Sequence, residues 1–106
     1  MRMFRIGTDI IRISRIEKSL EKENFKVSVF TDSEILYSKK AETFAGIFAA
    51  KEAYFKAKGM GINKKLNSIE INHDEKGKPY ISGVENSDVS ISHDGDYAIA
   101  SVVLWE

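Results

Sequence analysis

Apolar and polar residues alternate near the N-terminus of the chain, over residues 3 to 11. This period of two predicts a β-strand in which Ile6 and Ile10 share one side. Asp9 occupies an odd position of the same strand and therefore faces away from both isoleucines. The strand is predicted to carry one isolated acid on the side opposite Ile6 and Ile10.

A helical period replaces the alternation in the middle of the chain. Residues 42 to 58 predict the longest helix, which ends at Gly59 and Gly61 because glycine readily adopts the left-handed conformation of a helix C-terminus. The side that we expect to face the core consists of Phe44, Ile47, Phe48 and Phe55. A second strip, which we expect to leave room for a ligand, consists of Ala45, Ala49 and Ala53.

Two shorter helices are predicted before the long one. Ser14 and Glu17 have the spacing of a capping box, which predicts a helix through about residue 23. Thr31 and Glu34 repeat that spacing and predict another helix towards Lys40.

The last third of the chain changes to the period of strands. Residues 68 to 73 and 80 to 82 predict a hairpin around the turn sequence DEKGKP. Residues 89 to 93 and 97 to 105 predict two more strands, joined at Asp94 and Gly95. We therefore expect an α+β fold in a single small domain, residues 1–106, with a largely antiparallel sheet packed against one long helix and shorter helices.

Composition limits the class of protein. The 106 residues are 42% hydrophobic and 30% charged, which is typical of one small soluble domain. Sixteen basic and sixteen acidic residues cancel, which argues against a general nucleic-acid binder. The chain has no cysteine, no apolar run of membrane-spanning length and no signal-peptide pattern at its N-terminus. We expect a cytoplasmic protein that does not enter membranes.

The residues with the clearest chemical potential are Asp9, Glu52 and Lys56. On a helix, Glu52 and Lys56 lie one turn apart on the same face, and two isolated acids are able to share a hard metal ion. From the spacing alone, a solvated Glu52–Lys56 ion pair is the favoured interpretation. Asp9 is equally compatible with a turn or a helix cap.

Five segments together resemble holo-acyl-carrier-protein synthase, the small type of 4′-phosphopantetheinyl transferase. They are GTDII at 7 to 11, FTDSE at 30 to 34, AGIFAAKEAYFKAKG at 45 to 59, GKPY at 77 to 80 and SISH at 90 to 93. The resemblance spans nearly the whole chain in order, and FAAKEA followed by KA and glycine is its specific part. It implies the 4′-phosphopantetheinyl transferase fold.

The resemblance implies a magnesium-dependent enzyme of fatty acid synthesis. Such an enzyme transfers 4′-phosphopantetheine from coenzyme A to a serine of apo acyl carrier protein and releases adenosine 3′,5′-bisphosphate. Asp9 and Glu52 match the family's metal-binding acids, with Mn²⁺ as an alternative to Mg²⁺, and Lys56 matches a catalytic lysine near the pyrophosphate. The alternative is a non-catalytic oligomeric module that binds coenzyme A or a nucleotide. A third interpretation is an assembly protein in which Glu52 and Lys56 are structural.

Further matches concern coenzyme A. Besides Lys56, the residues expected to bind it are Lys39, Gly59, Pro79 and His93. Ile47 stands where many family members have arginine, so one phosphate or inter-subunit contact is missing unless a nearby lysine replaces it. His93 is equally compatible with an ordinary surface histidine, and His73, which lies in no motif, is expected to have no role.

The family's partner is an acidic acyl carrier protein. Arg15, Lys18 and Lys22 are expected to bind it, and Arg15 matches the family best. Without the resemblance, the acids interleaved with these bases favour an ordinary solvated helix face. Relatives of this size are homotrimers with active sites between subunits, so His93 and Pro79 need not reach Glu52 within one chain.

Overall fold

A computed structural model describes residues 3–61 and 64–106. The elements follow one another in this order: β1 (Phe4–Arg12), α1 (Ile13–Ser19), α2 (Glu23–Val29), α3 (Asp32–Tyr37), α4 (Ala41–Ala57), a 3₁₀ turn (Leu66–Ser68), β2 (Ile71–His73), β3 (Pro79–Ile81), β4 (Ser87–Asp94) and β5 (Tyr97–Trp105). Among the helices described, none is long and apolar enough to span a membrane.

Two antiparallel sheets form the β part of the fold. The larger sheet has the strand order β1-β5-β4, and the smaller one is the β2-β3 hairpin. Asp9 of β1 is in register with Ala100 of β5, at the centre of the larger sheet. Helix α4 packs across one face of this sheet, and the predicted α+β fold with one long helix is confirmed.

The small side chains of α4 serve close packing. Ala45, Ala49 and Ala53 are fully buried, so the expectation that they leave room for a ligand is wrong. A Cβ added to Gly7 would overlap the carbonyl oxygen of Ala53 and lie 2.7 Å from the backbone nitrogen of Ala57. The strip therefore brings α4 into near backbone contact with β1.

The residues that the structure describes leave the opposite face of the larger sheet largely exposed. Asp9 faces away from Ile6 and Ile10, as predicted, and it lies on the side of α4, where Lys56 contacts it. Phe4, Ile6 and Ile10 are 64%, 74% and 60% exposed. The more apolar side of β1 is thus turned towards solvent, which is the reverse of the usual arrangement in a sheet with one buried face.

The predicted helix starts have different outcomes. At Thr31 the capping box is present, because the Thr31 side chain accepts from the Glu34 amide and Glu34 accepts from the Thr31 amide. The box predicted at Ser14 is wrong: α1 already begins at Ile13, whose amide donates to the carbonyl of Asp96. Helix α1 also ends early, and α2 was not predicted.

A buried ion pair connects four of these elements through its hydrogen bonds. Lys51 Nζ of α4 lies 2.6 Å from Glu34 Oε1 of α3, and neither side chain has any exposed area. The ammonium also donates to the carbonyl of Val29 at 2.7 Å, and Glu34 Oε2 accepts from the amide of Ile71 in β2 at 2.7 Å. Burial lowers the pKa of Lys51, and the contact with Glu34 opposes that shift.

Candidate active site

The predicted catalytic lysine reaches across to the first strand. Lys56 Nζ of α4 donates to Asp9 Oδ1 and to the carbonyl oxygen of Thr8, both at 3.0 Å. The Lys56 side chain is about half exposed, whereas that of Asp9 is 15% exposed. The close approach of α4 to β1 at Gly7 makes this contact between distant parts of the chain possible.

Glu52 lies one turn before Lys56 but pairs with a different cation. Lys64 Nζ lies 2.8 Å from Glu52 Oε1, and both side chains are mostly buried. No ion pair joins Glu52 to Lys56 in the part of the chain that the structure describes, so the interpretation of a simple helical pair is wrong. Lys64 was not predicted, because it follows the glycine-rich end of α4 in a segment without regular spacing.

The two acids are close enough to affect each other. Burial is the largest cause that raises the pKa of Asp9, and the negative charge of Glu52 raises it further. The hydrogen bond and positive charge of Lys56 oppose this rise, with a smaller contribution from Lys64. Each of the two carboxylates is paired with a lysine, Asp9 with Lys56 and Glu52 with Lys64.

The donor set fits a magnesium ion. Mg²⁺ in phosphoryl-transfer sites is held by one or two carboxylates and keeps several positions for water and phosphate oxygens. Within residues 3–61 and 64–106, no cluster of three or more histidine and acidic side chains is arranged to hold a metal ion. Asp9 and Glu52 supply two carboxylates, which is within the number that such an ion takes from a protein.

Pro79 and His93 line a cavity of about 220 Å³ beside the N-terminal half of α4. We call it the second cavity, because it is separate from the contact of Asp9 with Lys56. His93 Nε2 donates to the carbonyl oxygen of Glu42 at 2.9 Å. Gly46 permits this approach, because an added Cβ would lie 2.9 Å from that nitrogen. The full lining consists of Tyr37, Thr43, Gly46, Ile47, His73, Gly77, Pro79, Ile91 and His93.

The other residues predicted to bind coenzyme A or the carrier protein lie neither at the Asp9–Lys56 contact nor in the cavity lined by Pro79 and His93. Lys39 is exposed just after α3, and Gly59 ends α4 with a φ of +77°. Arg15, Lys18 and Lys22 are exposed at and after α1. Within one chain, the described contacts bring Asp9 to Lys56 but do not join this pair to His93 or Pro79.

The chain matches the family model of the 4′-phosphopantetheinyl transferase superfamily over residues 5–102, and it belongs to that family. Its relatives there are holo-[acyl-carrier-protein] synthases. The one from Nautilia profundicola is 43% identical over 93% of this chain and 97% of its own length. The predicted resemblance is thereby confirmed.

Solved structures agree with the fold. A holo-(acyl-carrier-protein) synthase from Bacillus anthracis, in complex with CoA (3′,5′-ADP), has a TM-score of 0.85 and 39% identity, covering 96% of each chain. The Helicobacter pylori holo-[acyl-carrier-protein] synthase in complex with coenzyme A has a TM-score of 0.83 and 38% identity, covering 95% of this chain and 99% of that one.

Proposed function

We propose that this protein transfers the 4′-phosphopantetheine group of coenzyme A to a serine of apo acyl carrier protein, in support of fatty acid synthesis. Holo acyl carrier protein and adenosine 3′,5′-bisphosphate are the products. Family membership and relatives in complex with coenzyme A support this function over a non-catalytic module. The single observation that carries it is the contact of Lys56 in α4 with Asp9 in β1, close enough to Glu52 for the charge of Glu52 to act on Asp9.

The reaction exchanges a pyrophosphate anhydride bond for a phosphate ester bond. The serine oxygen loses its proton to the solvent and forms a bond to the phosphorus next to pantetheine, the bond from that phosphorus to the bridging oxygen of the pyrophosphate breaks, and the nucleotide leaves with that oxygen. Asp9 and Glu52 would hold Mg²⁺, or Mn²⁺ in its place, and such an ion would supply positive charge that neutralises phosphate oxygens. Lys56, held beside Asp9, stabilises the charge that develops on the leaving phosphate.

The nucleotide end of coenzyme A is assigned to the second cavity, with Pro79 and His93 as its contacts. The Nε2 atom of His93 is held by Glu42, so the ring has a defined orientation towards this cavity. Lys39 and Gly59 are proposed as further contacts along the cofactor. Ile47 is 1% exposed and forms part of the cavity wall, so it supplies apolar contact in place of a charged one.

Association of copies explains the uncovered sheet face. Phe4, Ile6 and Ile10 are exposed on one side of β1, where only Thr8 interrupts the apolar residues, and a cavity of about 430 Å³ extends from Ile6 on that face to Pro79. Exposed apolar surface of this kind favours self-association. We assign this face to a homotrimer in which active sites lie between subunits.

Acyl carrier protein is assigned to the basic residues Arg15, Lys18 and Lys22. All three are exposed, and positive charge there attracts an acidic partner. Arg15→Glu is expected to raise the KM for apo acyl carrier protein and to leave the KM for coenzyme A unchanged. Equal changes in both constants would contradict this docking surface.

The function is tested by incubating the purified protein with coenzyme A, Mg²⁺ and apo acyl carrier protein and weighing the carrier by intact mass spectrometry. A gain of one phosphopantetheine that a chelator abolishes is the expected result. No gain, with coenzyme A still bound in calorimetry, would favour the binding module, and no binding at all would favour the assembly protein. The cytoplasmic location stays a prediction that cell fractionation tests.

A further inference from the structure

A second lysine approaches the proposed metal-binding acids from the chain that follows α4. Lys64 Nζ lies 2.8 Å from Glu52 Oε1, and the two side chains are 27% and 15% exposed. The contact of Lys56 with Asp9 is more open, because the Lys56 side chain is 53% exposed. Water and salt screen an enclosed pair of charges less than an open one, so the charge of Lys64 acts strongly on Glu52.

The charge of Lys64 also reaches the other acid. Burial is the main cause that raises the pKa of Asp9, and the positive charge of Lys64 is among the smaller causes that lower it. Two acids and two lysines therefore form one group, which we call the charge cluster: Asp9, Glu52, Lys56 and Lys64. The formal charges of the charge cluster cancel.

A charge cluster that is already neutral attracts a divalent ion only weakly. An ion at Glu52 would meet the ammonium of Lys64 beside the same carboxylate, and like charges repel strongly in a partly buried place. The pyrophosphate of coenzyme A carries the negative charge that offsets such an ion, and phosphate oxygens are ligands that Mg²⁺ takes readily. The charges therefore balance again when the ion and the pyrophosphate are bound together.

We propose that Lys64 makes the binding of a divalent ion at Glu52 depend on coenzyme A, because its ammonium neutralises Glu52 and opposes an ion that arrives without pyrophosphate. The ion and coenzyme A then bind cooperatively, and each increases the affinity of the protein for the other by the same factor. Lys64 acts through Glu52 and not on the reacting phosphate, which distinguishes it from Lys56. This inference rests on the proposed function, since it takes Glu52 as a metal ligand.

Calorimetry with Mn²⁺ tests this without carrier protein, so that no transfer takes place, and a titration of Mn²⁺ into coenzyme A alone is subtracted. In the wild-type protein, coenzyme A is expected to increase the affinity for Mn²⁺ about tenfold or more. Lys64→Met removes the charge at similar length and is expected to increase the affinity for Mn²⁺ alone about tenfold, the size of effect that partners of metal ligands have on metal affinity. The increase that coenzyme A produces is expected to shrink by the same factor.

A conservative variant and a matched control show whether the charge is the cause. Lys64→Arg keeps a positive charge and is expected to hold both Mn²⁺ affinities within about twofold of the wild-type values. Lys65→Met removes the next lysine, which is exposed and has no ion pair among the residues that the structure describes, and it is expected to change neither affinity. A rise in metal affinity cannot result from a loss of folding, so the expected direction itself excludes that explanation.

Three results would overturn the proposal. They are unchanged or weaker binding of Mn²⁺ alone in Lys64→Met, an equal gain in Lys65→Met, and a Lys64→Arg variant that behaves like Lys64→Met. If the wild-type protein modifies the carrier while Lys64→Met binds Mn²⁺ like wild type, the inference fails and the proposed function stands. If coenzyme A and Mn²⁺ bind cooperatively through Lys64 but no carrier is modified, the proposed function fails and the role of Lys64 stands.

Discussion

Gly7 and Ala53 place β1 and α4 in near backbone contact, although they lie far apart in sequence. A Cβ on Gly7 would overlap the Ala53 carbonyl oxygen, and a side chain there cannot be accommodated without moving the helix. Two residues further along β1 is Asp9, and three residues further along α4 is Lys56. The close contact therefore sets the distance across which the acid and the lysine meet.

Gly7→Ala is expected to lower the free energy of unfolding by about 1–3 kcal/mol or more, because the colliding atoms belong to backbone and cannot rotate away. Denaturant unfolding measures this, and the transfer rate is expected to fall as well. Gly61→Ala is the matched control, since nothing lies within 4 Å of a Cβ at that glycine. Equal stability of both variants would contradict the packing argument.

Asp9→Asn and Glu52→Gln are each expected to abolish transfer with folding intact, since both remove a proposed metal ligand at nearly constant volume. Transfer is measured by mass spectrometry of the carrier, and binding of Mg²⁺ and Mn²⁺ by calorimetry. Glu85→Gln, which changes an exposed acid away from the site, is the matched control. Near-normal turnover or unchanged metal affinity in either site variant would remove the metal assignment.

The raised pKa of Asp9 predicts a pH dependence of stability. The pKa of this carboxyl group is higher in the folded protein than in the unfolded chain, where it is about 3.8. The group therefore contributes stability that is fully present below pH 3.8 and is lost as pH rises through the folded-state pKa. Without metal, Asp9→Asn is therefore expected to gain stability relative to wild type as pH rises above 3.8. If the stability of Asp9→Asn relative to wild type instead increased as pH falls, the raised pKa of Asp9 would be contradicted.

Removing one charge of the buried Lys51–Glu34 pair is expected to lower the free energy of unfolding more than removing both charges. Lys51→Met leaves Glu34 buried without a counter-charge and is expected to lower the free energy of unfolding by about 3–5 kcal/mol. Glu34→Gln combined with Lys51→Met removes both charges and is expected to recover part of this loss. Denaturant unfolding of the two single variants and the double variant measures the coupling. Additive effects would show that the two charges do not stabilise each other.

A charge on the uncovered sheet face is expected to dissociate the assembly. Ile6→Lys places an ammonium at the centre of the proposed interface, where it cannot be solvated once copies associate. Size-exclusion chromatography with light scattering is expected to give trimers for wild type and monomers for this variant. Leu36→Lys is the matched control, because Leu36 is 75% exposed on α3, away from the sheet. A trimeric Ile6→Lys protein would contradict the interface.

Local sequence signals succeeded where a short segment has its own physical cause. The capping box of Thr31 and Glu34 formed because both partners lie within one turn. The α4 helix ends as expected at Gly59, where the amides of Gly59 and Met60 donate to the carbonyls of Lys56 and Phe55. The same spacing at Ser14 did not give a capping box, because α1 already begins at Ile13, whose amide donates to the Asp96 carbonyl.

The sequence by itself determined the family, the α+β class, the long helix and the three residues proposed to carry the chemistry. These follow from local periodicity, capping and family motifs, which a chain carries within short segments. Only the tertiary structure decided that Lys56 binds Asp9 instead of Glu52, that Lys64 joins Glu52, and that Tyr37 stacks on His73. The contacts of Lys56 with Asp9 and of Tyr37 with His73 depend on the packing of elements distant in sequence, and the contact of Lys64 with Glu52 depends on how the chain turns after α4.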